Sequence, residues 1–491
     1  MQTDQPACNR LRSSSKARVV KYQSEGIGTL KFILAECDRL DAIRKNERHR
    51  FFAENGFSMG LSFEREGKRF TTFCGKEAER RLHLFAANVA NGDGDLRGRV
   101  ASATFYTALK KEFVERHFVH REPIGGKLLA AMVSAAKTSV AAQFKNRTYL
   151  FPCFALHGQG LSPFAIGAAS FTNAEAFIAG HSNAWREKVD REPDDAHKQF
   201  ADELYTSAKR QYGAADWVAG VEIKSSEPKM GWLKASELLE DSCNLIRLLL
   251  PYDDRHFIGR AADAPAGEKE STLELDDSGE FVASIRHSSL SFHASPGQLE
   301  AARSGSPMLG FLEEIVRKKQ AWIELHPNEE RLILALRWYG EGWKEQVPAA
   351  RLIKFVTSIE CAVSTGKQES LTEMVAERVA FLLGADEPAR QSIHAQVREV
   401  YGWRSRATHG DSSVAKANLG AINRTAERLG GDTICSVAEV CRVLASNGTH
   451  DEKGLKAVFS GLKFGATPEP RDVAQRIASA GDKEFVAVAP P

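Results

Sequence analysis

Five amphipathic patterns of helical period follow one another through residues 308–406, and they constrain the fold more than any other feature of the sequence. Apolar side chains recur in each pattern at intervals of three and four residues, the spacing of one helical face. The five segments are Met308–Gln320, Glu329–Trp343, Ala350–Val363, Leu371–Leu383 and Pro388–Arg406. Because short connections make consecutive helices antiparallel neighbours, the sequence predicts an all-α bundle over residues 307–465, followed by a tail over 466–491.

The first 306 residues have a different pattern. Segments rich in Phe, Val and Ile, bounded by Gly and Pro, indicate strands at Thr148–Leu156 and Trp217–Ile223. Helical spacing predicts helices at Lys127–Phe144 and Leu233–Leu250. A chain of 491 residues is too long for one ordinary core. We therefore expect an α+β fold, with a mixed N-terminal region over 1–306, either one part or two (1–145 and 146–306), before the all-α bundle.

Charge is distributed unevenly along the chain. The formal net charge is only +2, so the chain as a whole is not an obvious binder of polyanions. The segment from Pro388 to Gly430 is nevertheless basic, with seven Arg or Lys against three acidic residues. A second basic run lies between Arg10 and Lys21, and its composition predicts a solvated arm.

The sequence contains no pattern typical of a disulfide framework, a membrane span or a metal centre. Eight cysteines are spread without a Cys-x-x-Cys pair, which, with no signal peptide, indicates reduced thiols and a cytoplasmic location. The most apolar stretch, Leu128–Ala136, is too short to cross a bilayer, so no membrane role is expected. His117 and His120 have no evident third ligand, and we predict neither a metal nor another cofactor.

The end of the last helical pattern carries the candidate chemistry. An apolar face leads to it through Ile393, Val397, Val400 and Tyr401. Continuing this face reaches Arg404, so a permanent charge lies where a core residue is expected and needs a partner. His409 follows roughly 140° round the helix, so the two side chains diverge within one chain. They converge more easily if a second copy of the helix faces the first, which predicts a homodimer through the bundle.

Two further polar side chains lie on inward-facing helical positions. Glu360 lies beside the apolar stripe of the predicted helix Ala350–Val363, where a carboxylate needs a partner. Arg378 lies on an apolar face and is either structural or an RNA contact. His409 also has an alternative role, because a histidine before a glycine at a helix end often binds the last carbonyls.

Four elements in this region, taken in order, resemble the ApeA-like HEPN domain family. They are Arg331–Arg337, Ile359–Ala362, Arg378–Gly384 and Tyr401–Gly410. In the last element, Arg404-Ser405-Arg406-Ala407-Thr408-His409-Gly410 resembles the family's Arg-Ser-x-x-x-His-Gly ending. Ser405 stands where many HEPN nucleases have Asn, Asp or His.

The resemblance implies a metal-independent endoribonuclease, acting on RNA such as tRNA in anti-phage defence. Arg404 and His409 are then the catalytic residues, supported by Glu360, Ser405, Arg406, Tyr401 and Arg378, and Arg404 pairs with Glu360. RNA supplies its own 2′-hydroxyl nucleophile, histidine transfers protons near neutral pH, and arginine stabilises the phosphorane oxygens. The expected products are a 2′,3′-cyclic phosphate and a 5′-hydroxyl, and a phage-derived trigger would act on residues 1–306.

A different class of function is the alternative. The bundle can be a catalytically inactive HEPN module that serves dimerisation or ligand binding. Ser405 favours this alternative, whereas the basic segment and the complete Arg-Ser-x-x-x-His-Gly ending favour the nuclease.

Overall fold

The computed structural model describes the chain in two compact units. The described residues are 7–43, 47, 49, 59–156, 162–250, 257–264, 269–275, 281–287, 303–304, 306–365, 371–464 and 469–480. The first unit comprises Met1–Arg147 with Ile223–Leu233, and the second comprises Thr148–Glu222 with Lys234–Pro491. Residues on both sides of position 306 belong to the second unit, which is therefore larger than the predicted bundle.

The first unit combines helices with one β-hairpin. Its elements are α1 Ala7–Ala42, β1 Met59–Arg65, β2 Lys68–Cys74, α2 Lys76–Gly92, α3 Ser102–Phe113, a π-helical turn Val114–Val119, and α4 Gly126–Ala141. Strands β1 and β2 pair antiparallel, from Met59 opposite Cys74 to Arg65 opposite Lys68. Glu66 and Gly67 both have positive φ, 53° and 72°, as a two-residue type I′ turn requires.

The run from Arg10 to Lys21, predicted to be a solvated arm, lies within helix α1. Further along this helix, Leu30 and Ile33 are fully buried in the core of the first unit. Because these apolar residues fix the helix in the core, each further residue adds a backbone hydrogen bond without a new nucleation cost.

A curled sheet of five strands precedes the helical region. Its strands are β3 Lys145–Phe154, β4 Phe164–Ile166, β5 Ala169–Asn173, β6 Trp217–Ser226 and β7 Gly259–Arg260, in the order β4-β5-β6-β3-β7. Helices α5 Ala174–Asp190 and α6 Asp195–Gly213 connect β5 to β6, and α7 Pro228–Leu249 follows β6. Strands β8 Lys269–Leu275 and β9 Phe281–His287 form a separate antiparallel hairpin.

From Pro307 onward the described chain is helical. The helices are α8 Pro307–Gln320, α9 Pro327–Lys344, α10 Pro348–Val363, α11 Leu371–Leu383, α12 Glu387–Thr408, α13 Ser412–Lys416, α14 Gly420–Ser446, α15 Glu452–Phe464 and α16 Pro470–Ala480. Proline is the first residue of α8, α9 and α10. A backbone N–H at that position has no acceptor within the helix, so its absence costs no hydrogen bond. The Asp386 carboxylate caps α12 by accepting the Ala389 N–H at 2.8 Å.

The helices of this region pack against one another and bury apolar side chains. Fully buried examples from α8 to α12 and from α14 are Leu312, Leu336, Phe355, Val379, Val397 and Leu429. The prediction of a mixed α+β chain with a helical C-terminal region is confirmed. Among the described helices, none has both the length and the apolar character needed to span a membrane.

Candidate functional site

Helix α12 holds Arg404 beside Glu360 of α10. Val397, Val400 and Tyr401 are buried and fix this part of α12 against the core. Arg404 Nη2 lies 3.7 Å from Glu360 Oε1, and the two side chains are 32% and 15% exposed. At that separation the charges attract each other without a close hydrogen bond. The structure thus brings Arg404 and Glu360 together, as predicted.

Hydrogen bonding at this place is incomplete. Arg404 Nε, Glu360 Oε1 and the Tyr401 hydroxyl are buried atoms with no hydrogen-bond partner among the described residues. Burial, and then the negative charge of Glu360, raises the pKa of Tyr401, although the two side chains do not meet in hydrogen-bonding geometry. Each unsatisfied buried polar group costs about 1–3 kcal/mol, so the three residues, called the Arg404 site below, favour an additional polar partner.

His409 lies at the C-cap of α12 and is exposed. Gly410 follows with φ +70°, a conformation that glycine adopts without steric cost. The Gly410 N–H donates to the Ala407 carbonyl at 3.4 Å, and the Asp411 N–H donates to the Arg406 carbonyl at 3.0 Å, which is a Schellman ending. The His409 imidazole itself makes no hydrogen bond with any described residue, so it does not act there as a carbonyl cap.

Ser405 and Arg406 are both exposed on the same helical turn. The Arg406 guanidinium carbon lies 4.7 Å from the centroid of the Trp403 ring, a cation–π contact. Sequence reasoning did not single out Trp403. Its position three residues before Arg406 on a predicted helix was the available signal.

Arg378 contacts a different part of α10. Its Nη1 donates to the Val363 carbonyl at 2.5 Å, and its guanidinium lies over the Phe459 ring at 4.6 Å. Burial lowers the pKa of Arg378. Arg331 donates to the Cys361 carbonyl at 3.2 Å, so two arginines stabilise the C-terminal end of α10. These contacts give Arg378 a structural role among the described residues.

A second group of charges lies between α7, α8 and α9. Its members, called the charged cluster below, are Glu237, Glu240, Asp241, Lys319, Arg337 and Lys344. Asp241 is fully buried; it accepts from Arg337 Nε at 2.8 Å and from Lys319. Glu240 accepts from Lys344 at 3.0 Å and from Arg247 at 2.6 Å. Sequence reasoning missed this cluster.

The described residues contain no group of three or more His, Cys, Asp or Glu side chains placed to hold a metal ion. Comparison with protein-family models, with curated proteins and with solved structures gives no match.

Proposed function

We propose that the chain is a metal-independent endoribonuclease of the ApeA-like HEPN type, in which Arg404 and His409 act on RNA. One observation carries this proposal. Half-exposed Arg404, with an unpartnered buried Nε, lies five residues before an exposed imidazole at the end of one rigid helix. A permanent cation and an imidazole that can accept and donate a proton are the two groups that RNA transesterification needs from a protein.

The chemistry balances without a cofactor. The 2′-oxygen of RNA forms a bond to phosphorus, and the bond from phosphorus to the 5′-oxygen breaks. The His409 imidazole accepts the proton of the 2′-hydroxyl. The leaving 5′-oxygen takes a proton from water, and the resulting imidazolium neutralises the hydroxide. Arg404 stabilises the charge on the phosphorane oxygens, and Glu360 orients its guanidinium. The products are a 2′,3′-cyclic phosphate and a 5′-hydroxyl.

The proposed active form is a homodimer through the helical region. Arg404 and His409 diverge by roughly 140° on α12, so a facing copy of α12 completes each site more readily. An Arg404→Ala chain mixed with a His409→Ala chain should then recover part of the cleavage, because some heterodimer sites hold both groups. Light scattering that finds an active monomer would remove the dimer from the proposal.

Cleavage of total RNA in EDTA tests the proposed reaction. Wild-type protein should produce new ends that carry 2′,3′-cyclic phosphate and 5′-hydroxyl groups. Arg404→Ala and His409→Ala should both lose cleavage while retaining their circular dichroism spectra. Cleavage that disappears on chelation, or that survives both substitutions, contradicts the proposal.

Under the same proposal the enzyme acts in the cytoplasm against phage on RNA such as tRNA, and residues 1–306 respond to a phage-derived trigger. A chain beginning at Pro307 is a poor test, because it lacks Glu237 and Asp241, which compensate Lys319 and Arg337. The test therefore uses the full chain. Bacteria that carry the wild type should survive phage challenge better than bacteria that carry His409→Ala. Equal survival argues against the defence role.

The alternative is a HEPN module without catalysis. The observation that favours it is the Arg404–Glu360 ion pair at 3.7 Å, since closing the helical region would be a sufficient role for this pair. A stable dimer that leaves RNA intact under all conditions of the chelation assay would select this alternative.

A further inference from the structure

The end of α12 presents an aromatic ring and a second arginine next to His409. Trp403 is half-buried, Arg406 is exposed, and the guanidinium lies 4.7 Å from the ring centroid. Among the described residues, no carboxylate lies within 4 Å of this guanidinium. The Asp411 carboxylate, which follows closely, accepts the Ser413 N–H at 2.8 Å. Arg406 therefore lies over the ring and forms no ion pair with a described carboxylate.

Trp403, Arg406 and His409 follow one another at intervals of three residues. Residues at this spacing form one ridge on a helix surface. Each member of this ridge lies roughly 60° round the helix from the next, and the ridge rises about 9 Å from Trp403 to His409 at 1.5 Å per residue. Arg404 lies off this ridge, against Glu360. The two arginines of the helix end are thus separated, with one next to a carboxylate and the other next to an indole.

We propose that Trp403 and Arg406 hold an unpaired nucleobase beside the scissile phosphate. This inference rests on the proposed nuclease function and adds a base-binding part to that site. An indole stacks on any base, and a guanidinium both stacks and attracts the phosphate backbone. Bases within a duplex are already stacked and paired, so they cannot occupy this position.

Binding measured separately from cleavage tests the proposal on the full chain. The probe is a short fluorescein-labelled 2′-O-methyl oligoribonucleotide of mixed sequence, which lacks the nucleophile and is not cleaved. Anisotropy is recorded for the single strand and for the same strand annealed to its complement. Cleavage of the unmodified strand is recorded in parallel with the same protein preparations.

Trp403→Leu should weaken single-strand binding about tenfold or more, the usual effect of losing one stacked base. Trp403→Phe should retain most of the affinity, and Arg406→Gln should weaken binding and reduce its salt dependence. Wild-type protein should bind the duplex at least about tenfold more weakly than the single strand. Two controls should bind as wild type: Arg398→Gln, exposed on the same helix, and Trp232→Leu, an exposed tryptophan of the first unit.

The outcomes separate this inference from the proposed reaction. Equal binding by Trp403→Leu and wild type, equal binding of duplex and single strand, or no binding at all overturns the inference, whatever the cleavage assay shows. Single-strand binding that depends on Trp403 in a protein that does not cleave supports the base-binding role and removes only the nuclease activity.

Discussion

Two places in the second unit hold charged side chains against the apolar core, and they differ in how completely those charges are paired. In the charged cluster, both oxygens of buried Asp241 accept from cations, with Arg337 at 2.8 Å and Lys319 also in contact. In the Arg404 site, the ion pair is stretched to 3.7 Å, and three buried polar atoms lack a hydrogen-bond partner among the described residues.

We take this difference in pairing to distinguish charges that support the fold from charges that belong to a chemical site. A buried ion pair is tolerated when each desolvated charge is compensated, and the charged cluster meets that condition between α7, α8 and α9. A cation whose charge is only partly neutralised by its partner can still bind a second anion. The Arg404 site combines this remaining capacity with exposure to solvent, as a phosphate-binding site requires. We therefore expect substitutions in the cluster to change stability, and substitutions in the site to change activity.

The largest expected effect is on the rate of cleavage. His409→Ala should reduce the rate by ~10²–10⁴-fold, the usual contribution of one general acid or base. Stability should be unchanged, because the imidazole makes no hydrogen bond with a described residue. His394→Ala is the matched control: it lies on the same helix and pairs with Glu373 at 3.2 Å. Equal losses of cleavage rate in the two variants would show that His409 has no specific role in the reaction.

Asp241→Asn should give the largest loss of stability. It removes the charge that compensates Lys319 and Arg337, and breaking a buried pair costs ~3–5 kcal/mol. Urea unfolding of the full chain measures this cost. Glu187→Gln, which removes an exposed pair with Arg191 at 3.3 Å, should change the midpoint little. A stable Asp241→Asn protein would mean that the cluster does not support the fold.

Acid should weaken the charged cluster selectively. Burial alone would raise the pKa of Glu240, but Arg247 and Lys344 outweigh it and hold that pKa at about 2. A carboxylate with a lowered pKa stabilises the folded state above its ordinary value of about 4.3, and this contribution is lost as the pH falls toward 2. The urea midpoint should fall across this window, and less steeply in Glu240→Gln. If the urea midpoints of the wild type and Glu240→Gln fall equally steeply with pH, Glu240 is not a cause of the acid sensitivity.

The smallest expected effect is at the end of α12. Gly410→Ala forces a side chain into φ +70° and should destabilise the protein by ~1 kcal/mol. Gly402→Ala is its control on the same helix: a Cβ there meets no atom within 4 Å, and alanine should stabilise the helix by ~1 kcal/mol. If the two substitutions changed the free energy of unfolding in the same direction, the Schellman ending would be contradicted.

The helical region was predictable because its apolar spacing is regular. The predicted helix Ala350–Val363 is α10, Pro348–Val363, and Glu329–Trp343 lies within α9. Helix α6 gave no comparable signal, because none of its residues is buried and its apolar residues Phe200 and Leu204 are exposed. Apolar periodicity reflects burial, so it does not reveal a helix that buries no residue.

The site was predictable in part for the same reason. Glu360 and Arg404 could be placed from the apolar stripes of their own helices and from the family resemblance. The charged cluster could not, because Arg337 lies almost one hundred positions from Asp241, and a single helix pattern does not give the register of another helix. The unpartnered atoms of Tyr401 and Arg404 likewise depend on packing between helices.

The most direct test of the distinction between scaffold and site is one variant, Arg404→Gln, measured for both urea unfolding and RNA cleavage in EDTA. The ion pair with Glu360 is long and partly exposed, so its loss should change the unfolding midpoint little, while cleavage should fall to the level of His409→Ala. A loss of stability as large as that of Asp241→Asn, or cleavage at the wild-type rate, would contradict the assignment of Arg404 to a chemical site.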